Sequence, residues 1–394
     1  MNNDNQHIPF GYKPSPLGPI PEDWEVKRLG EVCNFLDSQR VPIKDGDRVK
    51  MQGKYPYYGA SGIIDYVNDY LFDDDLILLG EDGANILTRS TPLAFLVSGK
   101  VWVNNHAHVL KTSTNHNRYY ICNYLESLSY DKYNTGTAQP KLNREICENI
   151  PILLPNIYEQ NKIADILQLW DTAIAKQTAL IEQLTLRKHG LIQQLLTGKK
   201  RLKGFEGEWK EVKLGEVFDE RNETNCDNLP LLSITGDKGV IYQSESDKRD
   251  ISNEDKSKYK RICPNDIGYN TMRMWQGRSA LSDLEGIVSP AYTIVTPKDN
   301  IDVRFMTMLI QQPRIVYDFW THSQGLVSDT LNCKYPDFSQ VKVSIPSKEE
   351  QTAIANFFVG LDKEIGLANK KLAATQAQKK GLMQVLLTGK KRIK

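Results

Sequence analysis

The chain has 394 residues, enough for two or three domains at about 150 residues each. Its 50 basic and 49 acidic residues leave a net charge of +1, and the mean hydropathy of −0.47 is that of an ordinary soluble composition. This excludes a polybasic, histone-like protein while allowing a local basic face, and no apolar run approaches the roughly 18–20 residues of a membrane span.

The chain opens on MNNDNQHIPFGYKPSPLGPIPEDW, which lacks the apolar core of a signal peptide. Its five prolines, Pro9, Pro14, Pro16, Pro19 and Pro21, mark residues 1–23 as an arm. The arm is expected either to lie loosely on the surface or to pair with the region of the second long helix. The six cysteines are scattered with no CxxC pair. They read as reduced thiols in a cytoplasmic protein, without a zinc site or disulfide frame.

From Trp24 onward the chain repeats itself. Trp24 is followed by Leu29-Gly30-Glu31-Val32, and Trp209, 185 positions later, by Leu214-Gly215-Glu216-Val217. Pro155, Glu159, Gln160, Ile163, Ala164 and Asp171 recur 191 positions later as Pro346, Glu350, Gln351, Ile354, Ala355 and Asp362. LLTGKKR at 195–201 recurs unchanged at 386–392. Two copies of one unit fill almost the whole chain. Their middles do not match, which points to one scaffold carrying two recognition surfaces; the plainer alternative is a duplicated structural domain that drifted.

The first middle carries Tyr57, Tyr58 and Ser61 in YPYYGASG, then Asn104, Asn105 and His106, then Thr137, Gln139 and Lys141 in TGTAQPK. The second carries Asn270, Arg273, Trp275, Gln276 and Arg278, then Ser323 and Gln324. Arginine pairs bidentately with guanine and Asn or Gln with adenine, while hydroxyls and backbone amides hold phosphates. These residues are therefore candidates for DNA contact. The alternative is that Trp275 and the tyrosines are core and the polar residues ordinary loops.

Each copy ends in a long amphipathic stretch. Tyr158 to Thr197 contains no proline and one glycine, Gly190, and would form a helix about 60 Å long. A heptad frame puts Ile163, Trp170, Gln177, Leu184 and Leu191 at one seam position, and Leu167, Ile174, Ile181, Lys188 and Leu195 at the other. The second copy gives Ile354, Leu361, Ala368, Thr375 and Leu382, with Phe358, Ile365, Leu372, Lys379 and Leu386. Lys188 and Lys379 break both seams at the same heptad. Asn156 and Ser347 are the expected N-cap region, and Gly198 and Gly389 the expected stops. Two such helices in one chain can bury their seams against each other in antiparallel fashion; packing on their own domain cores is the alternative. The GKKR ends read as solvated helix termini, with contacts to phosphate or a partner as the other option.

Catalytic motifs are missing. Gln193 and Gln384 stand where a Walker A loop needs its first glycine, and Lys200 and Lys391 where it needs Ser or Thr. There is no GxGxxG and no Asn-Pro-Pro-Tyr or Asp-Pro-Pro-Tyr tetrapeptide. His106-Ala-His108 has no accompanying carboxylate motif and reads as a strand or loop pair, not a metal site. Asp73-Asp74-Asp75 reads as an acidic turn. No metal or cofactor is expected.

With these openings, helix starts and LLTGKKR ends, the sequence resembles the specificity subunits of type I restriction-modification systems over nearly its entire length, from Trp24 to Lys394. YPYYGASGIIDYV, VNNHAHVL and TGTAQPKLN resemble one class of target recognition domain, and YNTMRMWQGRSALSDLEGIVSPAYTIV another. The proline-rich arm departs from the family pattern.

The resemblance implies an α+β chain. Two globular α/β target recognition domains are joined by two long helices packed as an antiparallel coiled coil, with a pseudo-two-fold internal repeat. Expected boundaries are 1–23 for the arm, 24–153 for the first recognition domain and 154–203 for the central helix and linker. The second recognition domain follows at 204–345 and the C-terminal helix at 346–394. It also implies a non-catalytic subunit whose domains each read half of a split double-stranded DNA site. The helices would space the domains and dock two methyltransferase subunits; ATP-dependent restriction subunits would join that core, and no membrane is involved. The alternatives are a modification-only or spare-allele adaptor without an active nuclease partner, and a protein-binding coiled-coil scaffold.

Overall fold

The computed structural model describes residues 8–136, 138–236, 238–246, 250, 252–325 and 330–393. Two compact units emerge: unit 1 is Met1–Thr178 with Lys370–Lys394, and unit 2 is Ala179–Asn369. The central helix, Ile157–Leu195, and the C-terminal helix, Lys348–Leu386, therefore each contribute a segment to both units.

Unit 1 is built around two four-stranded sheets. In one, Ala107–Thr112 lies between Cys33–Phe35 and Leu76–Gly80, and Ala94–Val97 forms the far edge, all antiparallel. Leu76, Ile77, Leu78 and Leu79 are all fully buried, so this strand is covered on both faces and reads as a continuous apolar run. In the other, the hairpin Gln52–Gly59 and Gly62–Val67 turns through Ala60 and Ser61, and Lys100–Val103 runs parallel to its first strand. At the tip, a Cβ on Gly59 would lie 2.4 Å from Ile64 Cδ1, so the Ile64 side chain packs over this glycine.

Unit 2 carries a four-stranded antiparallel sheet in the order Phe218–Arg221, Tyr292–Pro297, Ile267–Asn270, Ser279–Leu281. Beside it are the hairpin Leu232–Thr235 and Gly239–Tyr242 and the helices Val303–Ile310, Pro313–His322 and Tyr335–Gln340. Phe338 centres the core, stacked on Phe319 at 5.5 Å and on Tyr269 at 5.1 Å.

The repeated residues make the same contacts in both units. Gln160 accepts from the Asn117 amide at 2.9 Å and donates to the Pro155 carbonyl at 2.8 Å. Gln351 does the same with Asp302 and Pro346, at 3.0 and 2.9 Å. Asn117 and Asp302 are themselves the N-caps of Arg118–Ser127 and Val303–Ile310. Each buried glutamine thus ties a helix start to a domain helix, satisfying a buried proline carbonyl and a part-buried amide.

The GKKR ends are not free. In unit 1, Arg392 forks onto the buried Glu159 at 2.8 Å through both Nε and Nη2, and onto Asp23 at 2.7 Å. Its guanidinium also lies over Trp24, whose indole donates to Glu159 at 3.1 Å. In unit 2, Arg201 forks onto the buried Glu350 at 2.5 Å and lies over Trp209. These clasps join one helix end to the start of the other helix. Gly198 and Gly389, with φ of +67° and +72°, make the left-handed turn that aims each arginine back.

Every seam residue of both helices is buried or half-buried, while most of the intervening positions are exposed. Ile163 and Leu167 share a core with Met383 and Leu386 in unit 1. Leu195 shares one with Ile354, Phe358 and Leu361 in unit 2. Lys379 pairs with Asp171 at 2.6 Å in unit 1, and Lys188 with Asp362 at 2.5 Å in unit 2. The lysine breaks in the seams are thus matched by the repeated aspartates. Because later residues of one helix pair with earlier residues of the other, the packing is antiparallel.

Asn156 caps the central helix, its side chain accepting from Glu159 N at 3.0 Å. The N-terminal arm docks on the end of the second helix: Ile20 is buried, and Tyr12 Oη donates to the Gly389 carbonyl at 2.9 Å.

Candidate nucleic-acid interface

In unit 1, strand pairing brings three loops together beside the hairpin tip. Glu81 N donates to the His106 carbonyl at 2.8 Å, and Leu142 N to the Glu81 carbonyl at 2.7 Å. Asp82 and Lys141 form an isolated antiparallel bridge. A Cβ on Gly80 would lie 2.7 Å from the Ala60 carbonyl, so the Ala60–Ser61 turn sits directly above this strand end. Ser61, Asn105, His106, Gln139 and Lys141 are exposed on these loops. His106 Nδ1 meets Asp82 Oδ2 at 2.8 Å, and Lys141 Nζ lies 3.4 Å from Glu81.

Two expected contact residues are corrected by burial. Tyr57 is 2% exposed; its hydroxyl accepts from Ile43 N at 3.1 Å and its ring lies beneath Arg48. Strand alternation turns it inward onto Val67 and Trp102. Asn104 is also buried, its side-chain oxygen holding the His106 amide at 2.8 Å. Tyr58, one residue on, is half-buried against Phe95, and burial pushes its phenol pKa up. Thr137 lies outside the described residues.

Beneath the loops lies a charge cluster that the sequence did not reveal. His108 is 1% exposed, with Nδ1 2.7 Å from Asp37 Oδ2 and Nε2 2.8 Å from the Leu142 carbonyl. Burial alone would lower the pKa of its ring; Asp37 and the neighbouring Cys147 together more than offset that and push it up to about 10. Arg40 donates to Glu81 at 2.6 Å, to the Ala107 carbonyl at 2.7 Å and to the Asp37 carbonyl at 3.1 Å. The readable signal was the His106-Ala-His108 alternation, which puts one histidine at the loop tip and the other inside. The acidic run is structural: Asp74 pairs with Lys111 and Asp75 with Arg118.

Unit 2 presents a concave cleft of about 460 Å³ between the hairpin Leu232–Tyr242 and the end of strand Ile267–Asn270. Asn270, Arg273 and Arg278 line it together with Lys238, and no described lining residue is acidic. The Asn270 amide donates to the Arg278 carbonyl at 3.2 Å, which brings the two arginines to one rim. Both arginines are exposed, and their side chains have no hydrogen bond or ion pair among the described residues. Lys238 was missed in the sequence, although the Thr-Gly-Asp-Lys-Gly stretch between two apolar runs has hairpin character.

The other candidates of the second middle lie elsewhere. Trp275 donates its indole N–H to the Met272 carbonyl at 2.9 Å, and neither it nor the exposed Gln276 lines the cleft. Ser323 donates to the Phe319 carbonyl at 2.7 Å and Gln324 to Asp337 at 3.1 Å, so both side chains are engaged within the fold.

Among the described residues no group of three His, Cys, Asp or Glu side chains is arranged to hold a metal ion. Among the described residues no helix is long and apolar enough to cross a membrane.

The family described as the type I restriction modification DNA specificity domain matches the chain twice, at residues 21–186 and 206–376. A Haemophilus influenzae chain assigned to the type I restriction enzyme specificity subunits is 28% identical over 376 residues, covering 90% of this chain and 92% of its own length. The type I restriction enzyme MjaVIII specificity subunit of Methanocaldococcus jannaschii is 26% identical, covering 95% of this chain and 94% of itself. The crystal structure of a type I restriction-modification S subunit from M. genitalium shares the fold, with a TM-score of 0.56 at 14% identity, covering 92% and 96% of the two chains. A repeated frame of two units, each spanned by segments of both long helices and each matched by the same domain family, places this chain in the type I restriction modification specificity family, as a specificity subunit with two DNA specificity domains.

Proposed function

We propose that each unit reads one half of a bipartite double-stranded DNA site, through the loops of residues 24–153 in unit 1 and 204–345 in unit 2. The observation that carries this reading is the unit 2 cleft. Arg273 and Arg278 flank a concave surface free of described carboxylates and have no described partner, which is how an anionic or guanine-bearing ligand is received. In unit 1 the same task falls to Ser61, Asn105, His106, Gln139 and Lys141, with Tyr58 at their base.

The long helices set the distance between the half-sites and offer a docking surface for two methyltransferase subunits, which restriction subunits then join in the cytoplasm. Supporting this, a solved structure with TM-score 0.55 and 15% identity comes from work on complex assembly in the type I restriction-modification system. Methyl transfer and cleavage belong to those partners.

The test is methylome sequencing of cells carrying this gene with its methyltransferase. Replacing residues 33–145 with another recognition domain should change one half of the methylated motif and leave the other intact. Arg273→Ala or Arg278→Ala should weaken only the other half, by about 1–3 kcal/mol for a bidentate base contact. A uniform loss across sequences with a shallower salt dependence assigns the arginine to phosphate. A domain replacement that alters both halves refutes independent reading.

A further inference from the structure

The loops of unit 1 rest on four buried or nearly buried ionisable side chains, and the hydrogen-bond count fixes their charges. Both ring nitrogens of His108 face acceptors: the Asp37 carboxylate at 2.7 Å and the Leu142 carbonyl at 2.8 Å. The carbonyl cannot donate, and Asp37 is ionised: burial raises its pKa, but the bonds from His108 and Val109 N and the nearby Arg40 outweigh that and hold it below the usual carboxylate range, so both nitrogens carry protons and the ring is an imidazolium. Asp37 and Glu81 are two carboxylates with side chains 7% and 13% exposed, and Arg40, 13% exposed, contacts both. A positive His108, whose Nδ1 lies 3.8 Å from Glu81, is compatible with this acidic pair, which the half-exposed Lys141 also faces. The remaining neighbours of the ring are the edge-on Phe35 and the buried Cys147 thiol, while Lys141 meets the far oxygen of Glu81.

What the two cations hold is specific. Arg40 grips Glu81 in the first loop, and the Asn105 and Ala107 carbonyls, at 3.4 and 2.7 Å, in the second. His108 grips the Leu142 carbonyl at the end of the third. Asp37 completes the bracing by accepting from Val109 N at 2.9 Å. The three loops whose tips carry Asn105, His106, Gln139 and Lys141 are thus anchored at one point, by residues that lie below the exposed surface.

We propose that Arg40 and His108 are the positioning residues of the unit 1 recognition surface: they fix the mutual placement of its three loops, and hence its sequence discrimination, without touching DNA. This rests on the reading of unit 1 as a half-site reader, and the test separates the two. A displacement of base-reading side chains by a fraction of an ångström weakens correct pairs more than mismatched ones, so discrimination falls before affinity is abolished.

The experiment uses the full chain with its methyltransferase and compares methylation of the cognate site with sites mismatched in either half. Arg40→Gln and His108→Gln are expected to lower discrimination in the unit 1 half by about tenfold or more, leaving the unit 2 half unchanged. Arg40→Lys, which keeps the charge and one donor, should recover part of the loss. Folded variants that keep full discrimination in both halves overturn the proposal. Loss of discrimination equally in both halves also overturns it, because that is the mark of a general structural role. A wild-type chain with no half-site dependence refutes the function reading instead. Independently, histidine-labelled nitrogen NMR of the full chain at pH 8 should show His108 protonated on both nitrogens, assigned by its absence in His108→Gln. A bare ring nitrogen there overturns the charge assignment on which the anchoring rests.

Discussion

Unit 1 and unit 2 agree at the frame and part at the loops. In both, a glutamine at the helix start holds a domain helix, a glutamate takes the arginine from the other helix's end, and a lysine in the seam meets an aspartate. Above that frame unit 1 braces its loops on an ion cluster closed to solvent, whereas unit 2 leaves two arginines open in a cleft. Even the clasps differ: Glu159 also receives the Trp24 indole, whereas the Trp209 N–H is buried without a partner among the described residues. The clasps and seam pairs join recurring residues to one another, whereas the loop-bracing cluster of unit 1 and the cleft arginines of unit 2 belong to the divergent middles.

The frame can be broken symmetrically. Phe358→Ala removes a ring that is 1% exposed in the unit 2 core, and Leu167→Ala its fully buried counterpart in unit 1. Each should cost about 3–5 kcal/mol, measured as lost protection from hydrogen exchange in the affected unit. A cost under about 1 kcal/mol in either unit contradicts the seam as a shared anchor.

The next effect separates the units by pH. The His108 pKa, at about 10 in the folded chain, stands above its ordinary value near 6.5, so folded unit 1 keeps a proton that the unfolded chain releases. Its stabilisation is complete below about pH 6.5 and disappears as the pH rises through about 10. Between about pH 7 and 8, below the midpoint near 8.5 of free thiols, unit 1 should lose about 1 kcal/mol. Unit 2, whose described histidines are both exposed, should change little. Hydrogen exchange corrected for intrinsic rates reads both units in one sample, and equal losses would contradict the assignment.

The smallest effect sharpens the symmetry. Lys188→Met and Lys379→Met remove the seam ion pairs, whose aspartates are 57% and 39% exposed. Solvent screening limits each pair, and the expected change is about 0.5 kcal/mol or less in denaturant unfolding. A much larger loss in one unit would mean that the two pairs are not equivalent.

The sequence alone determined whatever depends on neighbours along the chain. The two long helices were expected near 158–197 and its repeat, and they run over Ile157–Leu195 and Lys348–Leu386. Periodicity and terminal glycines are local, so the helices, their seams and the repeat were legible, as was the cation-rich Arg273–Arg278 stretch. Tertiary structure alone decided which distant groups meet. Arg392 finds Glu159 across 233 positions, and His108 finds Asp37 across 71. Tyr57 and Tyr58 stand side by side in sequence, yet the hairpin buries one and leaves the other half-open. Strand pairing sets which face of a residue is inward, and no local pattern in so polar and aromatic a segment records that pairing.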